Sequence, residues 1–106
     1  MFSRSVSMRL KGNNVAEFSR TLENEIIPLL RKQKGFQDAI TLVAPGGLEA
    51  IGISFWDQKE NAEAYSRTTY AEVQKALAKV VEGTPQVQNY EVSNSTFHKI
   101  AARVAA

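Results

Sequence analysis

The sequence contains no cysteine and only one histidine, and these two shortages exclude familiar kinds of site. Without cysteine the chain forms neither a disulfide nor a thiolate metal site. One histidine with scattered carboxylates does not provide the three or more regularly spaced ligands that a metal site needs. We therefore expect no metal, and the lack of cysteine fits a reducing compartment such as the cytoplasm.

Long apolar runs are also missing, and neither sign of charge dominates. No stretch reaches the length of a signal-peptide core or a membrane span, so we expect a cytoplasmic protein with no membrane partner. The net charge is +2, from 13 basic and 11 acidic residues. The one basic cluster, Arg31-Lys32-Gln33-Lys34, falls at the end of a predicted helix, where cations complement the helix dipole. No aromatic residues are interleaved with it, so we expect no nucleic-acid partner.

The first half of the chain alternates between strand and helix patterns. Apolar residues alternate from Phe2 to Leu10, with Arg4 interrupting the apolar side, and this period predicts a strand. A helical stripe then runs from Val15 to Leu30, bent at Pro28 and ended by Gly35. Two further strands are predicted over Phe36–Ala44 and Leu48–Trp56, joined by a glycine-rich turn.

The second half repeats the helix-then-strand order. Asp57 and Glu60 have the spacing of a capping box, which predicts a helix after the third strand. Thr69 and Glu72 repeat that spacing, so we expect a break and a new helix. This second helix is predicted to carry Val73, Leu77, Val80 and Val81. Gly83-Thr84-Pro85 would end it, and Val87–Phe97 would form the last strand.

The order β-α-β-β-α-β predicts an α+β protein of the ferredoxin-like type, with a four-stranded antiparallel sheet and helices on one face. We expect residues 1–98 to form one domain and residues 99–106 a tail. The uncovered face should then carry large apolar side chains, which we assign to Val6, Met8, Ile51, Ile53 and Phe55. Such a face needs a cover, and we expect a second copy in a homodimer.

Three passages of the chain are similar to one known family. The run Ile27–Phe36, the strand end Phe55-Trp56 with its following helix 57–65, and Gly83-Thr84-Pro85 before Tyr90-Glu91-Val92 resemble antibiotic-biosynthesis-monooxygenase-like proteins. The resemblance implies a dimeric α+β barrel with a ligand cavity between helices and sheet. It also implies oxygenase chemistry that uses no cofactor.

The family's haem-degrading branch offers a further comparison. Its functional positions fall on Ser5, Tyr65 and Lys75 of this sequence. A lysine ammonium binds iron at neutral pH only after losing its proton, so we do not expect haem degradation.

Each candidate site residue has a structural alternative. Trp56 is either a wall of an aromatic pocket or a core tryptophan. His98 is either a proton acceptor or an exposed histidine without function. The hydroxyls of Tyr65 and Tyr70 either donate hydrogen bonds to a ligand or stay at the surface.

The serines of the first strand, Ser3, Ser5 and Ser7, share one face of that strand. That face either lines a polar cavity or belongs to a wet edge strand. Asn61 is either a cavity amide or an asparagine near a helix cap.

The leading hypothesis is a cofactor-independent monooxygenase that binds a small aromatic or quinol-type molecule. In it, Trp56 and Tyr65 are cavity walls, Ser5 and Asn61 are polar contacts, and His98 is the proton acceptor. The alternative hypothesis is a non-enzymatic dimeric module of the same fold, which binds a small ligand or serves an assembly.

Overall fold

The structure, a computed structural model, describes residues 1–12 and 14–96. The predicted tail 99–106 and the candidate residue His98 lie outside the described residues. In chain order, the elements are β1 (Phe2–Leu10), α1 (Val15–Thr21), a π-helical segment (Leu22–Ile26), α2 (Ile27–Arg31), β2 (Phe36–Val43), β3 (Glu49–Trp56), α3 (Lys59–Thr68), α4 (Tyr70–Leu77) and β4 (Val81–Glu91). In this part of the chain, no helix combines the length and the apolar character needed to cross a membrane.

The four strands form one antiparallel sheet in the order β2-β3-β1-β4. This order and the helices between the strands confirm the predicted ferredoxin-like α+β fold. β1 lies in the middle of the sheet, between β3 and β4, so the expectation that its serines sit on an edge strand was wrong.

The long helical stretch before β2 changes helix type next to the proline, at which we predicted a bend. Pro28 lacks a backbone N–H and sits in the first turn of α2, directly after the π-helical segment. The apolar stripe still packs inward, with Phe18, Ile26 and Leu30 buried in the core. The stretch therefore follows the predicted helical period while its backbone changes pitch.

Gly35 ends this helical stretch with a left-handed backbone, at φ +83°. Its carbonyl accepts a hydrogen bond of 2.9 Å from the Asp57 backbone N–H, which ties the stretch to the end of β3. A Cβ at position 35 would collide with the side chains of Asp57 and Asn61. Glycine is thus required here for its conformation and for this close approach.

The end of the second helical region differs from the prediction. α4 stops at Leu77, and Val81 begins β4 opposite Leu10 instead of continuing the helix. Val80 and Val81 are buried in either arrangement, and β-branched residues favour strands, so the core did not require a longer helix.

Gly83, Thr84 and Pro85 lie inside β4, where the register against β1 shifts between Ser7 and Arg9. They therefore form an irregularity in a strand and not a helix stop. β4 ends at Glu91, short of the predicted Phe97, which lies outside the described residues.

β1 turns the opposite face toward the helices from the one that we expected. Met8 is buried in the core beneath the helices, and Val6 packs against that core. Successive side chains of a strand point to opposite faces, so Ser3, Ser5 and Ser7 point away from the helices. Their cross-strand partners on β3 are Phe55, Ile53 and Ile51. The uncovered face thus combines serines from β1 with large apolar residues from β3.

Candidate functional site

A cavity lies between the helices and the sheet, toward the β2 side of the fold. Its empty space totals about 530 Å³ including the open mouth, of which about 60 Å³ is available to the centres of water-sized molecules. The strands contribute Arg4, Val6, Met8, Ala39, Ile40, Thr41, Gly52, Ile53 and Ser54, and the helices contribute Leu22, Ile26, Ile27, Leu30, Tyr65, Tyr70, Val73 and Leu77. The lining is therefore mainly apolar, with one cation and two phenols.

The cation is Arg4 of β1, in the strand position between Phe2 and Val6 that faces the helices. Arg4 is only 5% exposed, and its Nε has no hydrogen-bond partner among the described residues. Within residues 1–12 and 14–96, no carboxylate lies at ion-pair distance from it. Its guanidinium carbon lies 4.3 Å from the ring centre of Tyr70 and 5.7 Å from that of Tyr65. Cation–π contact with these rings replaces part of the lost hydration.

The two tyrosines come from opposite sides of the break between α3 and α4. Burial raises the pKa of Tyr65 to about 12, although the charge of Arg4 opposes this shift. Burial also raises the pKa of Tyr70, again against the influence of Arg4. Both phenols therefore stay protonated at neutral pH and can donate hydrogen bonds.

The Tyr70 hydroxyl is buried and has no hydrogen-bond partner among the described residues. The Arg4 guanidinium is close enough to this hydroxyl to lower the Tyr70 pKa, but the two groups do not form a hydrogen bond of ordinary geometry. The Tyr70 hydroxyl and the Arg4 Nε–H are thus two buried polar groups of one cavity without a hydrogen-bond partner among the described residues. Buried polar groups of this kind are uncommon and need an explanation.

Trp56 lies behind the cavity instead of lining it. It is fully buried, with ring centres 5.1 Å from Tyr65 and 5.7 Å from Phe36, and its indole N–H donates to Ser54 Oγ at 2.9 Å. Its ring fixes the position of Tyr65 from the side opposite the cavity. The position corresponds to the core-tryptophan alternative considered from the sequence.

The other candidate residues are not brought together with the tyrosines. Ser5 points to the uncovered face, so it cannot contact a ligand in this cavity. Asn61 donates a hydrogen bond of 2.8 Å to Asp57 Oδ1 near the Gly35 turn and does not line the cavity. His98 lies outside the described residues. Of the sequence-based candidates within the described residues, Tyr65 and Tyr70 line the cavity.

Arg4 is the residue of this site that sequence reasoning did not select. Its signal was available, because it is the one charged residue in the apolar phase of the first strand. A charge in that phase points beneath the helices, where burying it without a partner is costly. We had noted it only as an interruption of the pattern.

Small side chains leave the space in which the cavity forms. Gly52 pairs with Val6 in the sheet and faces the helices, and a Cβ added there would approach Met8 Cε at 3.6 Å. The π-helical segment provides Leu22 and Ile26 as part of the opposite wall. The part of the chain that the structure describes brings no three His, Asp or Glu residues together as a metal site.

No protein-family model and no curated protein matches the chain. Solved structures do match it. A monooxygenase from the gene ActVA-Orf6 of Streptomyces coelicolor, solved with the ligand nanaomycin D, is 18% identical, and the match covers 99% of this chain and 89% of that one with a TM-score of 0.67. SnoaB, a cofactor-independent oxygenase from Streptomyces nogalater, is 14% identical over 90% and 95% of the two chains, with a TM-score of 0.72.

A protein from Bordetella bronchiseptica named as an antibiotic biosynthesis monooxygenase is also 14% identical, over 85% of this chain and 94% of that one, with a TM-score of 0.72. The chain has the antibiotic biosynthesis monooxygenase fold. The resemblance expected from the sequence is therefore supported at the level of the fold. The same monooxygenase fold is also found in proteins whose function is unknown, such as one from Nitrosomonas europaea.

Proposed function

We propose that this protein binds a small aromatic or quinol-type molecule in the cavity between helices and sheet and oxidises it with molecular oxygen, without a cofactor. The observation that supports this most is the lining, in which two protonated phenols and the Arg4 guanidinium border a mainly apolar space. An apolar pocket with a few convergent polar groups is the usual form of a small-molecule site. Oxygenases named among the structural neighbours support the same reaction class.

The chemistry in this proposal comes mostly from the substrate. An electron-rich phenol loses its proton, and the resulting anion gives one electron to oxygen, forming an aryloxyl radical and superoxide. The two radicals combine to a peroxide anion at a ring carbon that bears hydrogen. This anion takes back the proton that the phenol lost, and loss of water then leaves a carbonyl at that carbon. One oxygen atom thus enters the product and the other leaves as water.

The residues have distinct parts in this scheme. The apolar walls exclude water, and the hydroxyls of Tyr65 and Tyr70 donate hydrogen bonds that hold the substrate's oxygen atoms. His98 remains our proposed proton acceptor, and Trp56 is proposed to support Tyr65 from behind. Ser5 has no part in the cavity because it points to the other face.

Oxygen uptake tests the reaction directly. Hydroxylated naphthalenes and anthrones would be supplied to the protein in the presence of a metal chelator, with oxygen measured at an electrode and products by mass spectrometry. We expect uptake of one oxygen molecule per product carbonyl, and weaker uptake by Tyr70→Phe. No uptake above a heat-treated control across the panel would overturn the proposal.

The uncovered face of the sheet supports a second part of the proposal, the homodimer. Ile40, Leu42 and Ile51 on β2 and β3 are 40%, 49% and 39% exposed, with Ile53 and Phe55 beside them. An apolar surface of this kind on a small protein marks an interaction site. We propose that the same face of a second copy covers it. Sedimentation should then give a dimer at micromolar concentration.

The small size of the cavity favours a second candidate function, a ligand-binding module without catalysis. Only about 60 Å³ of the cavity is open to the centres of water-sized molecules, which leaves little room for an aromatic ring unless the walls move. This candidate predicts that aromatic ligands raise the melting temperature while no oxygen is consumed.

A further inference from the structure

Arg4 carries a charge that is paired with no carboxylate within residues 1–12 and 14–96. The four ion pairs formed within residues 1–12 and 14–96 are Arg9–Glu82, Arg20–Glu17, Lys59–Glu63 and Lys79–Glu25. All four join exposed side chains, whereas Arg4 is nearly fully buried and has no ion-pair partner. A buried charge is normally paired because removing it from water without compensation is costly. An unpaired one therefore points to a partner that arrives from outside.

The geometry limits where that partner binds. Arg4 lines the cavity, and the Tyr70 ring lies against its guanidinium at 4.3 Å. Cation–π contact favours the charge, but it gives no acceptor to the guanidinium Nε–H, which has no hydrogen-bond partner among the described residues. The Tyr70 hydroxyl, also without a partner, provides another donor at the same place. Together these groups offer several donors and one positive charge to a single acceptor.

The acceptor that fits is an ionised oxygen on an aromatic ring. Hydrogen bonds from a guanidinium to an anionic oxygen are stronger than those to a neutral one. The surrounding walls of Val6, Leu22, Ile26 and Val73 are apolar and suit the ring itself.

We infer that the Arg4 guanidinium and the Tyr70 hydroxyl bind the ionised oxygen of an aromatic oxyanion, so that the cavity selects anionic over neutral aromatic ligands. This inference rests on the proposed function only in placing the ligand in the same cavity. It concerns the charge of the ligand and not its oxidation. Arg4 would be a ligand-binding residue, and Tyr70 would add a hydrogen bond to the same oxygen.

One consequence concerns the ligand's own ionisation. A fixed positive charge in an apolar site stabilises the anionic form of a bound phenol, so the pKa of that phenol falls on binding. The protein would thus supply the phenolate form at a pH at which the free phenol is neutral. If oxidation follows, it begins from the form that gives electrons to oxygen most readily.

A matched pair of ligands tests the inference without any reaction. The first is 2-hydroxy-1,4-naphthoquinone, which is ionised at neutral pH, and the second is its neutral methyl ether, 2-methoxy-1,4-naphthoquinone. Affinities would be measured by calorimetry for the full chain and for Arg4→Met, which removes the charge and keeps an unbranched side chain. Arg9→Met is the control, because Arg9 is an exposed arginine of the same strand.

We expect Arg4→Met to weaken binding of the ionised quinone about 10- to 100-fold, the loss of a charge-assisted hydrogen bond. Binding of the methyl ether should change by less than about twofold, and Arg9→Met should alter neither affinity by more than this. Tyr70→Phe should weaken binding of the ionised quinone more than binding of the methyl ether, by a smaller factor than Arg4→Met does. Arg4→Lys should recover part of the affinity because it restores the charge.

Stability separates a binding role from a structural one. If Arg4 is kept for a ligand, the ligand-free Arg4→Met protein should melt at or above the wild-type temperature, because an unpaired buried charge has been removed. Equal losses for both ligands, no loss for either, a marked fall in melting temperature, or no binding of either ligand to the wild type would each overturn the inference. Charge-selective binding without oxygen uptake would support it and overturn only the proposed oxidation.

Discussion

Each of the two faces of the sheet departs from the usual pattern in a different way. The covered face, beneath the helices, holds a buried arginine among apolar residues. The uncovered face, open to solvent, holds a group of large aliphatic residues on β2 and β3. On β1 and β4 its residues are mostly polar, with Ser5 opposite Gln88 and Ser7 opposite Gln86, and Tyr90 is the aromatic exception. The covered face thus contains one unpaired charge among core residues, and the uncovered face exposes apolar residues to solvent.

This comparison indicates that each face carries groups without a binding partner among the described residues, a charge on one face and apolar side chains on the other. A buried charge without a partner costs free energy unless an anion meets it, and an exposed apolar surface costs free energy unless another surface covers it. The first face is suited to a small anionic ring and the second to another protein surface. In our proposals, one four-stranded sheet serves two kinds of binding, one on each of its faces.

The largest expected effect is the loss of stability when a core side chain on the covered face is removed. Replacing Trp56 with alanine removes a fully buried ring that contacts Tyr65 and Phe36, so the free energy of unfolding should fall by about 3–5 kcal/mol. Tyr90→Ala, at a 53% exposed position on the other face, should cost less than about 1 kcal/mol. Urea unfolding at one protein concentration measures both, and similar losses would show that the two faces do not differ as described.

The next effect tests the uncovered face. Ile51→Lys places a charge in the middle of its apolar group, so the dissociation constant of the proposed dimer should rise at least about 100-fold, or roughly 3 kcal/mol. Sedimentation velocity over a dilution series gives this constant. Ala71→Lys, an exposed position on α4, is the control and should leave it unchanged. A dimer that tolerates a lysine at position 51 would have to use another surface.

A smaller effect distinguishes the buried phenol from the exposed one. Tyr65 has a pKa of about 12 in the folded chain, against about 10 when unfolded. The folded state therefore keeps a proton that the unfolded state loses, and stability falls as pH rises from about 10 to 12. The difference between wild type and Tyr65→Phe should change across this window by up to about 2–3 kcal/mol, measured by urea unfolding at several pH values. Parallel pH profiles for the two proteins would contradict the raised pKa.

The sequence predicted the fold well and the site poorly, for physical reasons. Strand and helix periods are repeated over many residues, so single exceptions such as the early end of α4 at Leu77 do not hide them. The side of β1 that meets the helices is not fixed by its period, because β3 carries large residues on both of its sides, Trp56 on one and Ile53 on the other. This left Val6 and Met8 assigned to the wrong face.

The site depends on individual residues, which have no period to reveal them. Arg4 interrupts a pattern once, and its meaning depends on where the helices lie and on Tyr70, which is far along the chain. Trp56 and Asn61 have residue types suited to a pocket, but packing and a local hydrogen bond to Asp57 account for their positions. Tyr65 was selected because it flanks the predicted break between the two helices and carries a hydroxyl that can donate a hydrogen bond to a ligand.

The smallest expected effect comes from a substitution that narrows the cavity on the covered face. A Cβ at Gly52 makes an ordinary contact with Met8, so Gly52→Ala should not destabilise the protein and should add a few tenths to 1 kcal/mol of stability. The added methyl group narrows the cavity, so aromatic ligands should bind several-fold more weakly. Gly46→Ala, in a turn with open space around it, is the control. It should change the stability of the protein and leave its affinity for aromatic ligands unaltered. Thermal melting and calorimetry measure the two effects, and unchanged ligand binding by Gly52→Ala would place the ligand elsewhere.

The position of a bound ligand tests the central claim most directly, and a crystal structure of the full chain with 2-hydroxy-1,4-naphthoquinone would give it. The account predicts the ring between the helices and the sheet, with its ionised oxygen within hydrogen-bond distance of the Arg4 guanidinium and the Tyr70 hydroxyl. A ligand bound on the uncovered face, or bound in the cavity with its ionised oxygen turned away from Arg4, would contradict it.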